Sequence, residues 1–228
     1  MSISANSTRV VAALAALATG LGLMLGGCAS QKLETKTVQN SPTIQVQAIS
    51  LRAEDLRDGG IAMITPSSAT GQEEDRQALA LSFTEILRSG RPELRVSPLP
   101  QTLSVINRNG LTREYRQMFE DYRLAGIFDP DTLRKVAGAT GMRYLAQLKL
   151  GAFKQESKGR FGFLGVRVLE TKTSTIRLFL QIWDSRDGSI AWEAAQESTV
   201  SHESMAEEYV SMKTIVKESS RDLVANLP

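Results

Sequence analysis

The residue types that carry most enzymatic and metal chemistry are scarce in this chain: its 228 residues include one histidine, His202, and one cysteine, Cys28. A lone histidine leaves no Ser–His–Asp triad or His-rich zinc site to assemble, and a lone cysteine forbids an internal disulfide. His202, in Ser201-His202-Glu203-Ser204, is expected at the exposed start of the last helix. Asp129 and Asp131 could hold a divalent cation, but Asp129 followed by Pro130 has the pattern of a helix N-cap with proline at the first helical position, and Asp-x-Asp alone is a weak metal signal. The run Glu73-Glu74-Asp75 is explained in the same way, by the positive end of a helix.

Two further clusters invite a chemical reading. Gly159-x-x-Gly162-x-x-Gly165, with Lys158, Arg160 and Arg167 nearby, imitates a phosphate loop, but it lacks the GxxxxGK(S/T) order and does not join a strand to a helix, so a mobile hairpin tip is expected. Tyr115, Phe119 and Tyr122 beside Arg113, Arg116 and Arg123 could stack nucleobases, yet their spacing is that of a buried helical stripe with a solvated basic face. Trp183 and Trp192 are expected to pack on a sheet. There is no GxSxG and no dinucleotide fingerprint. Lys and Arg (27) exceed Asp and Glu (25) by only two, which gives no case for nucleic acid. Catalytic residues, cofactors and metal are therefore not expected.

The cysteine has a different chemistry available. Residues 10–25 form an uncharged apolar run after Arg9, shorter than the roughly 20 residues of a membrane span and suited to a signal peptide. The run ends in Leu25-Gly26-Gly27-Cys28, which resembles a bacterial lipobox: small residues before a cysteine that is diacylated, exposed by cleavage and then N-acylated. The alternative is an uncleaved anchor with Cys28 as a bystander. The resemblance implies a signal peptide over 1–27, a lipidated cysteine and flexible tether over 28–42, and a periplasmic domain over 43–228. Several acyl tails on one residue suffice for stable anchoring. Ala29 and Ser30, with no aspartate after the cysteine, imply the outer membrane, with the periplasm-facing side as the default.

The elements that must position any site follow from periodicity and punctuation. Thr43–Leu51 alternates as a half-buried strand, and 60–65 (GIAMIT) is a short interior strand ended by Pro66. Thr70-x-x-Glu73 and Gly90 bracket an amphipathic helix with Leu79, Phe83, Ile86 and Leu87 on one face. A strand over 94–99 and a short helix near 101–107 come next, then a helix through Leu111–Tyr122 with Gly126 beyond its end. The Asp129-capped helix, with Leu133, Val136 and Ala137 inward, leads to a strand over 144–153. Strands 173–184 and 189–200 flank Asp184-Ser-Arg-Asp-Gly188 as an antiparallel hairpin. With Asp184 opposite Ser189, this pairing puts Phe179, Gln181, Trp183, Ile190 and Trp192 on one face and Leu178, Leu180, Ile182 and Ala191 on the other, both covered. Met205, Tyr209, Met212, Val216 and Leu223 mark a closing helix started by Ser204-x-x-Glu207. The fold class is thus α/β: a single domain with a mixed central sheet ending in an antiparallel hairpin, and helices packed on the sheet.

This order of elements, with "GATGMRYLAQLKLG" leading into a central strand and "IRLFLQIWDSRDGSIAWE" as the hairpin, resembles the periplasmic domain shared by the curli-secretion lipoprotein (CsgG-like), the LpoB-type activator lipoproteins and the TolB N-terminal domain. The resemblance spans roughly residues 58–226 and carries no catalytic motif, so it implies a fold more than a function. Two departures stand out. A curli-type channel uses two membrane hairpins per subunit, whereas only 155–175 could serve here, with a short apolar part at Phe161–Val166. An LpoB-type activator needs a long disordered tether, and this one is short.

The function expected from these readings is that of a non-enzymatic, periplasm-facing, protein-binding accessory for envelope assembly or secretion. It would be held to the outer membrane by its lipid anchor, with an envelope protein as partner and self-association open. A curli-type secretion channel and a regulator of a peptidoglycan synthase are the alternatives. The contact surface is expected in the 156–170 loop, at Arg160, Phe161, Phe163, Leu164 and Val166, because clustered apolar side chains among cations suit a partner or a lipid surface.

Overall fold

The Asp129-Pro130 and Gly126 punctuation places two helix ends where they are observed in the computed structural model, which describes residues 37–39, 42–69, 73–163, 166–204 and 211–228. These residues fall within one compact unit, Thr35–Pro228. The signal peptide and Cys28 lie outside the described residues.

Among the described residues eight strands form one sheet: β1 (Thr37–Gln39), β2 (Thr43–Ala48), β3 (Ile61–Met63), β4 (Ser67–Ser68), β5 (Val96–Ser97), β6 (Tyr144–Phe163), β7 (Val166–Asp184) and β8 (Ile190–Ser204). The order is β1-β8-β7-β6-β3-β5, with β2 beside β1 along β8 and β4 beside β3 along β6. β3 runs parallel to both β5 and β6, whereas β6, β7 and β8 form an antiparallel meander. The sheet is therefore mixed, as the sequence predicts.

Six helices are described: α1 (Ala53–Gly59), α2 (Glu73–Gly90), α3 (Leu99–Arg108), α4 (Thr112–Ala125), α5 (Pro130–Thr140) and α6 (Met212–Ala225). One sheet face buries Met63, Tyr144, Leu148, Leu178, Leu180 and Ile182 against Leu79, Phe83 and Leu87 of α2 and Ile215, Val216 and Leu223 of α6. The other face buries Ile64, Leu145 and Trp183 against Ile106 of α3, Tyr115 and Met118 of α4, and Leu133 and Val136 of α5. Strand alternation sends odd-numbered residues of early β6 to one layer and even-numbered ones to the other, so a single strand serves both cores.

An ion network closes the end of the sheet where the β7–β8 turn lies. Arg143 donates from Nη2 to Asp184 at 2.5 Å and from Nη1 to Asp55 at 3.3 Å, and its guanidinium lies 4.7 Å from the Tyr144 ring centroid. α1, the start of β6 and the hairpin turn are joined at one partly buried residue.

The structure departs from the sequence-based expectations in several places, among them the strand expected over Thr43–Leu51, which ends at Ala48 and is largely exposed, not half-buried. The hairpin register holds at its turn, with Asp184 N donating to Ser189 O at 2.9 Å, but a bulge at Ala191 then pairs Ile182 with Trp192. The extra residue reverses the alternation, so Trp192 joins the face of Leu178 and Leu180 instead of that of Trp183. The closing helix begins at Met212, not near Ser204, because Ser211 caps it by accepting from Thr214 N, and Ser204 is still in β8; residues 205–210 lie outside the described residues. His202 is accordingly a strand residue in register with Thr37 and Lys172. Thr37–Gln39, within the stretch expected to be tether, pairs with β8. α1 was not anticipated, since it is one short helix burying only Leu56. Finally, β6 and β7 remain paired far beyond the expected strand limits, out to Phe163 and Val166.

Candidate functional site

An open cleft of about 750 Å³ lies where the chain leaves β3. Its position follows from the topology: α2 packs on one face of the sheet and α4 on the other, and a crevice is left at the carboxyl end of the parallel strands. Gln147 and Lys149 of β6 belong to the face that α4 covers, and both line the cleft together with Tyr115, Phe119 and Tyr122 of α4.

Local chemistry holds the walls in place. Thr65 N donates to the Tyr115 phenolic oxygen at 2.9 Å, and Tyr115 also meets Thr65 Oγ1 at 3.0 Å. Burial pushes the Tyr115 phenol up to about 12. Tyr122 stacks on Phe128 at 4.2 Å and donates to Gln181 Oε1 at 2.9 Å, and Gln181 in turn donates to Glu193. Burial, with the Glu193 charge adding to it, raises the Tyr122 phenol above its ordinary value. Phe119 meets Tyr115 and Phe128 edge to face, at 5.0 and 5.2 Å. The aromatic wall is therefore rigid.

The cleft carries a strong charge bias. Among the described residues Arg76, Arg116, Arg123 and Lys149 line it, against one carboxylate, Glu120, which lies 3.9 Å from Arg116. Lys149 Nζ sits 5.8 Å from the Tyr122 ring centroid. At the floor, Gln147 is 1% exposed; its Nε2 reaches Thr65 O at 3.5 Å, while its Oε1 has no hydrogen-bond partner among the described residues. Ser67 Oγ is in the same position. Such orphaned polar atoms are uncommon in native interiors and are met by ordered water or by a ligand.

A second depression of about 280 Å³ shares Thr65, Pro66 and Arg76 with the first. It runs between α2 and α3, lined by Ala80, Leu81, Leu99, Pro100 and Leu103. Leu81 and Leu103 remain 55% and 39% exposed. The two depressions form one groove, cationic and aromatic at one end and aliphatic at the other.

The sequence-predicted residues distribute as follows. Tyr115 is buried as expected, whereas Phe119 and Tyr122 are only half-buried and line the cleft with Arg116 and Arg123. Asp129 caps α5, accepting from Thr132 N at 2.8 Å and Thr132 Oγ1 at 2.6 Å, and these bonds hold its carboxyl below the ordinary range. Asp131 pairs with Arg134 at 2.6 Å. Among the described residues no cluster of three or more His, Cys, Asp or Glu is arranged to hold a metal. Arg160, Phe161, Phe163 and Val166 have their backbone in the β6–β7 ribbon, but their side chains are outside the described part, and Leu164 lies outside the described residues altogether. Gln147, Lys149, Leu81 and Leu103 were not anticipated as a site. The available signal was Gln147 itself, a polar residue in the middle of the otherwise apolar strand start YLAQL.

No protein-family profile matches the chain, and no curated protein matches it in sequence. Among solved structures it is similar to a PelC dodecamer from Paraburkholderia phytofirmans, at 11% identity and a TM-score of 0.47, covering 82% of this chain and 97% of that one. It is also similar to lipoprotein GNA1162 from Neisseria meningitidis, at 13% identity and a TM-score of 0.36, covering 74% and 99%. A PDZ domain protein from Parabacteroides distasonis follows at 10% identity and a TM-score of 0.35, covering 85% of this chain and 36% of that one. All three lie below a TM-score of 0.5, too distant to carry a function across.

Proposed function

We propose that the chain is a non-enzymatic lipoprotein, attached through Cys28 to the outer membrane and facing the periplasm, that binds protein as an accessory to envelope assembly or secretion. The observation that carries this reading is the β6–β7 ribbon. The hydrophobic core reaches Phe153 on β6 and Ile176 on β7, yet the two strands stay paired for ten residues more on each side, to Phe163 and Val166, with register shifts near Phe161. At about 3.3 Å per residue this arm is roughly 30 Å long. β8 flanks it as far as Ser204 opposite Glu170. Its base is polar, with Lys154, Gln155, Glu156 and Ser157 exposed, while the sequence at the outer ends of the two strands is rich in apolar residues, Phe161, Phe163, Leu164 and Val166. A paired ribbon presents such a tip at little cost in conformational entropy, which suits recognition.

The length of the arm also favours a second reading, a subunit of an oligomeric curli-type channel, since a transmembrane strand needs about 9–11 residues. The composition favours the first: polar side chains occupy both faces along Lys154–Ser157, where a lipid-facing strand would alternate. The mass of the full-length lipidated protein, extracted from native membranes in mild detergent and corrected for bound detergent, separates the two. A monomer or small complex with a co-purifying envelope protein is expected; a discrete ring of many subunits would transfer the assignment to the channel.

A further inference from the structure

The groove between α2, α3 and α4 has a chemistry that the ribbon does not explain. Among the described residues its cationic end sets four basic side chains against one carboxylate, Glu120, which lies beside Arg116, and Arg123 with Lys149 makes the rest of that end complementary to an anion. Its floor offers a buried carboxamide oxygen, Gln147 Oε1, that lacks a donor among the described residues. Its far end is a shallow aliphatic trough between the exposed Leu81 and Leu103. A free inorganic anion would use only the first feature. An acidic sugar would use the first two and leave the trough empty. An extended peptide meets all three, because it supplies a carboxylate, backbone N–H donors and an aliphatic side chain along one line.

We propose that this groove binds an extended segment of a partner protein that lays a carboxylate between Arg123 and Lys149, gives a backbone N–H to Gln147 Oε1, and seats an aliphatic side chain between Leu81 and Leu103. The inference rests on the protein-binding function proposed above and adds a second contact surface to it, with a stated partner chemistry. Tyr122 and Phe119 form the wall along which the peptide runs. Tyr122 is held by its bond to Gln181 and its stack on Phe128, so the wall is formed before binding.

The test uses the full-length protein in detergent micelles and four fluorescein-labelled probes, capped peptides of leucine and aspartate separated by two, three, four or five alanines. Fluorescence anisotropy should show saturable binding of at least one probe. Replacing its aspartate by asparagine, or making Arg123→Glu with Lys149→Glu in the protein, should each weaken binding at least tenfold. Gln147→Leu gives the sharper readout: a merely structural glutamine would cost stability when removed, whereas an orphaned acceptor replaced by an apolar side chain of similar size should leave the melting temperature unchanged or raised while binding falls. No binding of any probe at millimolar concentration overturns the proposal, as does binding indifferent to Arg123→Glu with Lys149→Glu. Binding of oligogalacturonate in place of the peptides overturns the partner class. If the doubly substituted protein still retains its envelope partner from membranes, a silent groove overturns this inference alone; loss of every partner from the unsubstituted protein overturns the function on which it rests.

Discussion

Thr65 and Tyr115, fifty residues apart, are joined by a backbone N–H to phenolic oxygen bond of 2.9 Å that ties the segment just after β3 to the first turn of α4. The bond sets the mouth of the cleft, because Thr65 begins its floor and Tyr115 its aromatic wall. The Tyr115 ring is buried, so Thr65 N–H has no ready substitute if the oxygen is removed.

Tyr115→Phe is therefore expected to lower the unfolding free energy by about 1–3 kcal/mol, the cost of leaving a partly buried donor unmet. Urea titration followed by tryptophan fluorescence measures it. The same residue gives a pH signature. Its folded value, about 12, lies above the ordinary 10, so the folded state holds the proton more tightly and the stability is fully present below pH 10. It is lost as pH rises through 10 toward 12. The variant should lose less stability than the parent across that interval, and equal losses in both would contradict the assignment.

Asp129 supplies the cap of α5, and its bonds to Thr132 hold its carboxyl below the ordinary range. Asp129→Ala should cost about 1 kcal/mol at neutral pH. The depressed value means that this stabilisation is present above about pH 4 and fades as pH falls through the folded value. Chemical denaturation at pH 7 and pH 2.5 should accordingly show a larger gap between parent and variant at the higher pH.

Gly188 lies in the β7–β8 turn with φ at 78°, and a Cβ built on it would come within 2.9 Å of Pro130 Cβ. Gly188→Ala combines left-handed strain with a collision against the first residue of α5, and a loss of roughly 1–3 kcal/mol is expected. Thermal melting of the variant reports it. A melting temperature equal to the parent's would mean that the turn does not press on α5 as described.

The lipid anchor and the ribbon tip can be separated by substitution. Cys28→Ser should leave the precursor unprocessed and unlabelled by radioactive palmitate, with the folded domain intact. Phe161→Ser combined with Phe163→Ser should leave the melting curve and membrane attachment unchanged while abolishing retention of the envelope partner. A doubly substituted protein with normal partner retention removes the tip from the binding surface.

Local punctuation made much of the fold legible in advance. Asp129-Pro130, Gly126, and the stripe Leu79, Phe83, Ile86, Leu87 act within a turn or two of chain, and each marks the element it was expected to mark. What escaped depends on distant pairing. Ala191 adds one residue to β8 and so moves Trp192 to the opposite face, and nothing in the spacing of Ile190 and Trp192 signals a bulge. The outer ribbon escaped because Lys154–Lys158 is polar throughout, with no alternation to betray a strand whose pairing is made by backbone. The rest of the groove escaped for the same kind of reason: Thr65, Leu81 and Lys149 are unremarkable in sequence and join the α4 aromatic and basic cluster only when β3 and β6 run side by side. On the strand side, Gln147 is the visible irregularity, a carboxamide where a buried strand would carry an aliphatic residue.

The most direct test of the account places a photo-crosslinking amino acid at Phe163 in the full-length lipoprotein and irradiates living cells. The account predicts a discrete adduct with a second protein, absent when the same group replaces the exposed Lys135 on α5. Crosslinks to lipid alone, or no adduct from a correctly anchored and folded chain, would contradict a protein-binding role for the ribbon tip.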